Sequence, residues 1–174
     1  MSINDLKQKL PSYAKDIKLN LSGVLSEEGS LGLSVKQIHL IALASAFATK
    51  NQELVDSMLA EVSATLAETD IEAAKAAAVI MGMNNIYYRF VHLVSDKEYA
   101  KLPAKLRMNV MANPGVEQID FELMSLAVSA INGCGLCIDS HTKKISADIS
   151  KEGIQSTVRI AAVIFATAQA LSIA

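Results

Sequence analysis

The spacing of apolar residues constrains this chain more than any other feature of its sequence. Apolar side chains recur every three or four positions through most of its length, which places them on one face of an α-helix. Runs in which β-branched and polar residues alternate, as they do in a half-buried strand, are missing. The sequence therefore predicts an all-α fold. One clear example of the helical pattern is Leu54, Val55, Met58, Leu59, Val62 and Leu66.

Serine and threonine residues followed three positions later by Glu or Gln mark several predicted helix starts. Such a pair can form a capping box, in which two side chains satisfy exposed amides of the first helical turn. Helix breaks are predicted where glycine or proline interrupts the pattern. The break nearest the two cysteines is Gly133. The pairs that fit a capping box are Ser34 with Gln37, Thr69 with Glu72, and Ser95 with Glu98.

Two short motifs recur in the same order in both halves of the chain. VKQI at 35–38 returns as VEQI at 116–119, and KAAAVIM at 75–81 returns as RIAAVIF at 159–165. A chain of 174 residues fits one domain. We therefore predict a single domain over 1–174, built from a duplicated helical unit. The two units run over roughly 30–95 and 112–174; chance similarity between alanine-rich helices is the alternative.

Composition and charge exclude some classes of partner. Hydrophobic residues make up 51% of the chain, which predicts that apolar surface is buried between subunits of an oligomer. The net charge is −2 and the basic residues are scattered, so nucleic-acid binding is not expected. The longest charge-free runs, 123–138 and 160–174, are shorter than the roughly 18 residues of a membrane span. The start of the chain lacks a signal peptide's apolar core, so we expect a cytoplasmic protein with no membrane contact.

The segment INGCGLCIDSH, residues 131–141, combines two cysteines and a histidine. Cytosolic thiols are kept reduced, so closely spaced cysteines there indicate catalysis, redox cycling or metal binding. On a helix that starts near Cys134, the side chains of Cys134, Cys137 and His141 share one face. Residues three apart on a helix have Cα atoms about 5 to 6 Å apart, within the reach of a disulfide. A reversible disulfide is therefore allowed.

A nucleophilic cysteine needs help to ionise, because a free thiol has a pKa of about 8.5. The start of the helix near Cys134 offers partial positive charge to the thiolate, and His141 can accept the thiol proton directly or through water. At a rise of about 1.5 Å per residue, Glu122 on the preceding antiparallel helix lies level with His141. We expect Glu122 to orient the imidazole and stabilise its cation, as in other nucleophile, base and orienter sets.

Other interpretations of these residues stay open at this point. The two cysteines can be a buried structural pair, and the protein a helical oligomeric scaffold with inert thiols. A zinc site would need a fourth ligand, and neither His39 nor His92 lies at a suitable spacing. Glu122 can be an ordinary carboxylate that favours the positive end of a helix dipole. The spacing does not decide which cysteine attacks first.

Three stretches give the sequence a more specific resemblance. MGMNNIYYRF, LRMNVMANPGV and FELMSLAVSAINGCGLC, together with His141, resemble the alkylhydroperoxidase D (AhpD) family, and the match covers most of 75–145. The resemblance implies an all-α, AhpD-like helical bundle of the carboxymuconolactone decarboxylase-like superfamily. It also implies a duplicated helical unit and assembly as a homotrimer. A γ-carboxymuconolactone decarboxylase activity is less expected, because that chemistry does not need a CxxC pair.

The same resemblance implies an antioxidant enzyme that reduces organic hydroperoxides. Cys137 would be the peroxidatic thiolate that becomes a sulfenic acid, and Cys134 the proton donor that resolves it as a disulfide. Glu122 and His141 would form the proton relay. No cofactor would be bound; dihydrolipoamide on a lipoylated acyltransferase subunit, recharged by dihydrolipoyl dehydrogenase and NADH, would be the reductant. Electrons would also pass to a peroxiredoxin.

One position departs from the pattern of the resembled family. Many members carry a histidine immediately before the second cysteine, and this chain has Leu136 there. A second basic group is therefore missing, which favours weaker direct peroxidase activity. The alternative function is that of a disulfide reductase or electron adaptor that retains thiol exchange.

Overall fold

The computed structural model describes residues 2–173, and eight α-helices account for most of them. Those residues contain no β-strand, which confirms the predicted all-α fold. Short 3-10 segments connect some of the helices. The helices are α1 (Ile3–Lys9), α2 (Lys15–Val24), α3 (Val35–Thr49), α4 (Gln52–Val62), α5 (Glu68–Leu93), α6 (Gln118–Ile131), α7 (Gly135–Ile145) and α8 (Lys151–Ser172).

Helices α3 and α6 form the centre of the bundle. They pack against each other, and both pack against α5 and α8. Every residue of α6 from Asp120 to Ser129 is buried, and so are most residues of α3 between Ile38 and Ala46. A helix that is apolar or small on all sides is expected inside a larger core. Helix α7 packs on α6 and α5, so the cysteine segment rests on the most buried part of the fold.

The predicted capping box at the start of α3 is present. Ser34 Oγ accepts a hydrogen bond from the Gln37 amide at 3.2 Å, and Gln37 Oε1 accepts one from the Ser34 amide at 3.1 Å. The third prediction, Ser95 with Glu98, is wrong because Asp96 caps the short segment Lys97–Lys101 instead. The shorter acidic side chain of Asp96 accepts from the Glu98 amide directly, at 2.9 Å.

Helix α5 begins earlier than its predicted cap. Thr69 lies inside the helix, and the N-cap is Ala67, which has no hydroxyl to offer. The Asp70 carboxylate accepts a hydrogen bond from the Ala67 amide at 3.0 Å and lies 2.8 Å from the Lys36 ammonium. One acidic residue therefore both stabilises the first turn of α5 and joins it to α3.

The repeated motifs occupy corresponding helices. VKQI opens α3 and VEQI runs into α6, while KAAAVIM lies in α5 and RIAAVIF lies in α8. Each half thus contributes one central helix and one long helix that packs against it. Duplication of an ancestral unit stays a prediction, and these placements are consistent with it.

Helix α8 is long and apolar enough to cross a membrane, with a mean hydropathy of 1.3 over 18 residues. The sequence prediction missed it because Arg159 interrupts the charge-free run. Half of that window is buried inside the structure, where α8 packs against α2, α3 and α6. A core helix of a bundle has the same composition, so packing within the fold accounts for its apolar residues.

Candidate active site

The turn between α6 and α7 fixes the position of the first cysteine. Gly133 has a φ of +66°, a conformation that glycine adopts without strain. Its amide donates to Ala130 O at 3.2 Å, and the Cys134 amide donates to Ser129 O at 3.1 Å. This pair of bonds is a Schellman motif, which ends α6 and satisfies its last carbonyls. The predicted break at Gly133 is therefore confirmed.

Cys134 also begins the next helix. It is the N-cap of α7, and its sulfur accepts a hydrogen bond from the Cys137 amide at 3.3 Å. Cys134 and Cys137 form a disulfide with Cα atoms 5.2 Å apart. Cys134 is fully buried and Cys137 is 6% exposed, so Cys137 is the sulfur nearer to solvent. The disulfide that the spacing allowed is present.

Glu122 and His141 face each other across the interface of α6 and α7. Glu122 Oε2 lies 2.5 Å from His141 Nδ1, and both side chains are almost completely buried. This pairing confirms the predicted level arrangement of the two residues. Because Nδ1 is occupied by the carboxylate, Nε2 is the ring nitrogen left for other groups.

A second set of bonds holds the other carboxylate oxygen. Glu122 Oε1 accepts from Lys144 Nζ at 2.8 Å and from Gln118 Nε2 at 3.1 Å. Burial alone would raise the pKa of Glu122, but hydrogen bonds from His141 and Lys144 outweigh it and hold the pKa below its ordinary value. Sequence reasoning missed Lys144 and Gln118. Their signal was spacing, since Gln118 lies one turn before Glu122 and Lys144 three residues after His141.

The reactive residues open onto a cavity of about 430 Å³ between α5, α7 and the segment that precedes α6. Cys137 and His141 lie on its wall. Most of the remaining wall is apolar or weakly polar, and the polar side chains of Ser140 and Lys144 lie there too. The site is therefore a sulfur pair at the side of an apolar chamber. The other lining residues are Met81, Asn84, Tyr88, Met108, Met111 and Leu136.

Side chains of α5 hold the turn between α6 and α7 through hydrogen bonds. Arg89 Nη1 donates to Asn132 O at 2.6 Å, and Asn132 Nδ2 donates to Asn85 Oδ1 at 3.0 Å. Asn85 in turn donates to Ser129 Oγ at 2.9 Å. Sequence reasoning assigned no role to these residues, although NNIYYRF lies in one of the quoted motifs. They hold the end of α6 from which Cys134 emerges.

The four predicted site residues thus form one site. Cys134, Cys137, His141 and Glu122 are joined by a disulfide, a shared helix and one hydrogen bond. Neither His39 nor His92 lines this cavity. An all-α bundle with a CxxC disulfide and a buried Glu–His pair on adjacent helices defines a helical thiol–disulfide protein.

Comparison with known proteins narrows this class to one family. The model of the carboxymuconolactone decarboxylase family matches residues 97–174. A protein of Coxiella burnetii named alkyl hydroperoxide reductase AhpD is 59% identical over 94% of this chain and 93% of its own length. One of Brucella abortus with the same name is 51% identical over 100% of this chain and 98% of its own length. The chain belongs to the AhpD family.

Proposed function

We propose that this protein is an antioxidant alkyl hydroperoxide reductase that works through the Cys134–Cys137 couple. The observation that carries the proposal is a disulfide between two closely spaced cysteines, with Cys137 and the glutamate-paired His141 on the wall of one apolar cavity. The names of its relatives agree with this activity. Glu122 and His141 supply the proton transfers that such a reaction needs.

In the first step, the Cys137 thiolate attacks the terminal oxygen of the hydroperoxide. The sulfur–oxygen bond forms as the O–O bond breaks, so the sulfur loses two electrons and becomes a sulfenic acid. The alkoxide that leaves takes a proton from the Cys134 thiol and departs as the alcohol. The more exposed position of Cys137 supports its role as the attacking sulfur.

In the second step, the Cys134 thiolate attacks the sulfur of the sulfenic acid. A disulfide forms, and hydroxide leaves as water after it takes a proton from the relay. His141 delivers through Nε2 the proton that it accepted from the Cys137 thiol before the first step, because Glu122 holds its other nitrogen. Glu122 stabilises the imidazolium while His141 carries the proton, and Lys144 and Gln118 keep the carboxylate in place.

Dihydrolipoamide then returns the enzyme to the dithiol state. Its thiolate attacks Cys137, which borders the cavity, and forms a mixed disulfide as the Cys134–Cys137 bond breaks and Cys134 leaves as the thiolate. The second thiol of dihydrolipoamide closes lipoamide and releases the Cys137 thiolate, so two electrons have moved. A lipoylated acyltransferase subunit is the proposed carrier. The reduced couple can pass electrons to the disulfide of a peroxiredoxin by the same exchange.

We further propose that the protein works as a cytoplasmic homotrimer. Helix α5 presents an apolar stripe in which Val79, Ile86, Phe90 and Leu93 are each at least half exposed. A helical face of this kind is usually covered by another protein surface. Association between copies would cover it.

The second candidate function is a disulfide reductase or electron adaptor with little peroxidase activity. Leu136 supports it, because this residue lines the cavity at the position where the resembled family pattern has a histidine. Disulfide exchange needs only the two sulfurs and one base, so it would survive that change.

A thiol count on one protein preparation tests the proposal. Reduced protein is mixed with one equivalent of cumene hydroperoxide, and free thiols are titrated with time. We expect the loss of two thiols per chain and full recovery with dihydrolipoamide but not with glutathione. Cys137→Ser should keep its remaining thiol and consume no peroxide. A parent protein that exchanges disulfides but does not react with peroxide would instead establish the adaptor function.

A further inference from the structure

We propose that Asn84 is the residue that binds the hydroperoxide group and aims its O–O bond at Cys137. This inference rests on the proposed peroxidase function and adds a residue that the redox couple and the proton relay do not include. Asn84 lies in the middle of α5, on the wall of the cavity that also contains Cys137 and His141.

Two adjacent asparagines on α5 differ in what they bind. Asn85 is fully buried and has partners for both its amide nitrogen and its oxygen, in Ser129 and Asn132. Asn84 is only 5% exposed, yet its Oδ1 has no hydrogen-bond partner within the part of the chain that the structure describes. A buried amide oxygen without a partner destabilises the fold, because it has lost its hydrogen bonds to water. Structural packing explains Asn85 but leaves the polarity of Asn84 unexplained.

The surroundings of Asn84 indicate the kind of ligand that would supply its missing partner. Its neighbours on the cavity wall include Met81, Tyr88, Met108 and Met111. A ligand that fits this chamber has an apolar body and a small group that can both donate and accept hydrogen bonds. An organic hydroperoxide has both features, since its terminal O–H is a donor and its oxygens are acceptors.

The amide can serve both states of the reacting group. Asn84 Oδ1 accepts the hydrogen bond of the terminal O–H, which presents that oxygen to the sulfur. As the sulfur–oxygen bond forms and the O–O bond breaks, the amide N–H donates to the oxygen that becomes the alkoxide. The proton that completes the alcohol comes from the Cys134 thiol, as in the proposed mechanism. Asn84 exchanges no proton and no electron.

Two reactions of Cys137 separate peroxide binding from sulfur reactivity. Oxidation of the reduced protein by cumene hydroperoxide requires the peroxide group to be oriented, whereas alkylation by iodoacetamide requires only the thiolate. Both rates are measured at pH 7 on the same preparation, with mass spectrometry to identify Cys137. Asn84→Leu keeps the side-chain size but removes both hydrogen-bonding groups. Asn113→Leu makes the same change on an exposed loop and is the matched control.

We expect Asn84→Leu to slow peroxide oxidation about tenfold or more, since one lost donor to a developing oxyanion has effects of this order or larger. Its alkylation rate should stay within about twofold of the parent. Asn113→Leu should match the parent in both reactions. If Asn84→Leu does not fold, Asn84→Ser takes its place: its shorter side chain should slow peroxide oxidation relative to the parent and leave the alkylation rate unchanged.

The results distinguish this inference from the function on which it rests. Equal peroxide rates in the parent and in Asn84→Leu would overturn the role of Asn84 and leave the peroxidase function standing. A parallel fall in peroxide oxidation and alkylation would also overturn it, because Asn84 would then act on the thiol. A parent protein whose thiols survive the hydroperoxide would refute the proposed function itself.

Discussion

The Glu122 carboxylate and the His141 imidazole join two helices, with Oε2 and Nδ1 2.5 Å apart in an almost fully buried contact. Helix α6 provides the acid from the centre of the bundle, and α7 provides the base on the helix that contains both sulfurs. The imidazole therefore cannot turn away from the cavity without breaking a buried charge-assisted hydrogen bond. The bond orients the base and stabilises the fold.

The stability of the protein should depend on the ionisation of Glu122. Its folded-state pKa is lowered: burial would raise it, but hydrogen bonds from His141 and Lys144 prevail. A carboxyl whose pKa is lowered by folding stabilises the folded protein at any pH above its unfolded-state pKa of 4.5. This stabilisation is lost as the pH falls through the lower folded-state pKa. We expect Glu122→Gln to cost about 1–3 kcal/mol of unfolding free energy at pH 7.

Urea unfolding of both proteins between pH 7 and pH 3 checks this dependence. The difference between parent and Glu122→Gln should narrow as the pH falls below about 4.5. A constant difference across the whole range would show that the Glu122 carboxylate is not preferentially ionised in the folded protein.

Lys144 should affect the rate of peroxide oxidation more than the adjacent Lys143 does. Its ammonium lies 2.8 Å from Glu122 Oε1, and the side chain is half exposed, so its effect is reduced by solvent. Lys144→Met should raise the pKa of Glu122 towards its ordinary value and slow peroxide oxidation a few-fold. Lys144→Arg should restore the rate.

Lys143→Met is the matched control, because Lys143 is exposed on the same turn of α7. The rates of all three variants are compared from pH 5 to pH 9. Equal pH profiles for Lys143→Met and Lys144→Met would mean that Lys144 contributes only general surface charge.

Restoring a histidine at position 136 should increase peroxidase activity. Leu136 is 39% exposed and lines the cavity beside Cys137, so an imidazole there has room and can exchange protons with solvent. We expect Leu136→His to raise the rate of peroxide oxidation about tenfold, which is less than the roughly 10²–10⁴-fold of a full general acid or base because Glu122 and His141 already transfer protons. Its disulfide exchange with dihydrolipoamide serves as the internal control and should change little. A rate increase shared by both reactions would argue against a specific role in peroxide reduction.

The start of α5 offers a site for stabilisation. Ala67 is exposed at the N-cap and has extended backbone angles, with φ −78° and ψ 166°. A serine hydroxyl there can accept from the first-turn amides, so Ala67→Ser should add about 0.5–1 kcal/mol. For a chain of this size, the midpoint temperature of thermal unfolding should rise by about 2–4 °C. No shift would mean that Asp70 already satisfies this helix end.

Local rules predicted the parts of the site that depend on one or two helices. The disulfide follows from a three-residue spacing, and the Glu122–His141 contact follows from helix rise and the turn at Gly133. Thr69 was the wrong cap because α5 begins at Glu68, where the Asp70 carboxylate accepts a hydrogen bond from the Ala67 amide. The sequence pattern could not distinguish these two arrangements.

The parts that were missed come from contacts distant in sequence. Asn84 lies about fifty positions before Cys137, and only the packing of α5 on α7 places both on one cavity. Arg89 and Asn132 are similarly distant and meet through a backbone carbonyl, which no residue pattern marks. Helical periodicity predicts which face is buried, but it does not predict which helices share that face.

The central claim is that Cys137 of the reduced protein is largely a thiolate at neutral pH. The rate of iodoacetamide alkylation of Cys137, measured from pH 4 to pH 10 in the Cys134→Ser variant, tests it most directly, because the thiolate is the form that reacts. The rate should reach half its maximum below pH 7. A half-maximum at the ordinary thiol value of about pH 8.5 would contradict it.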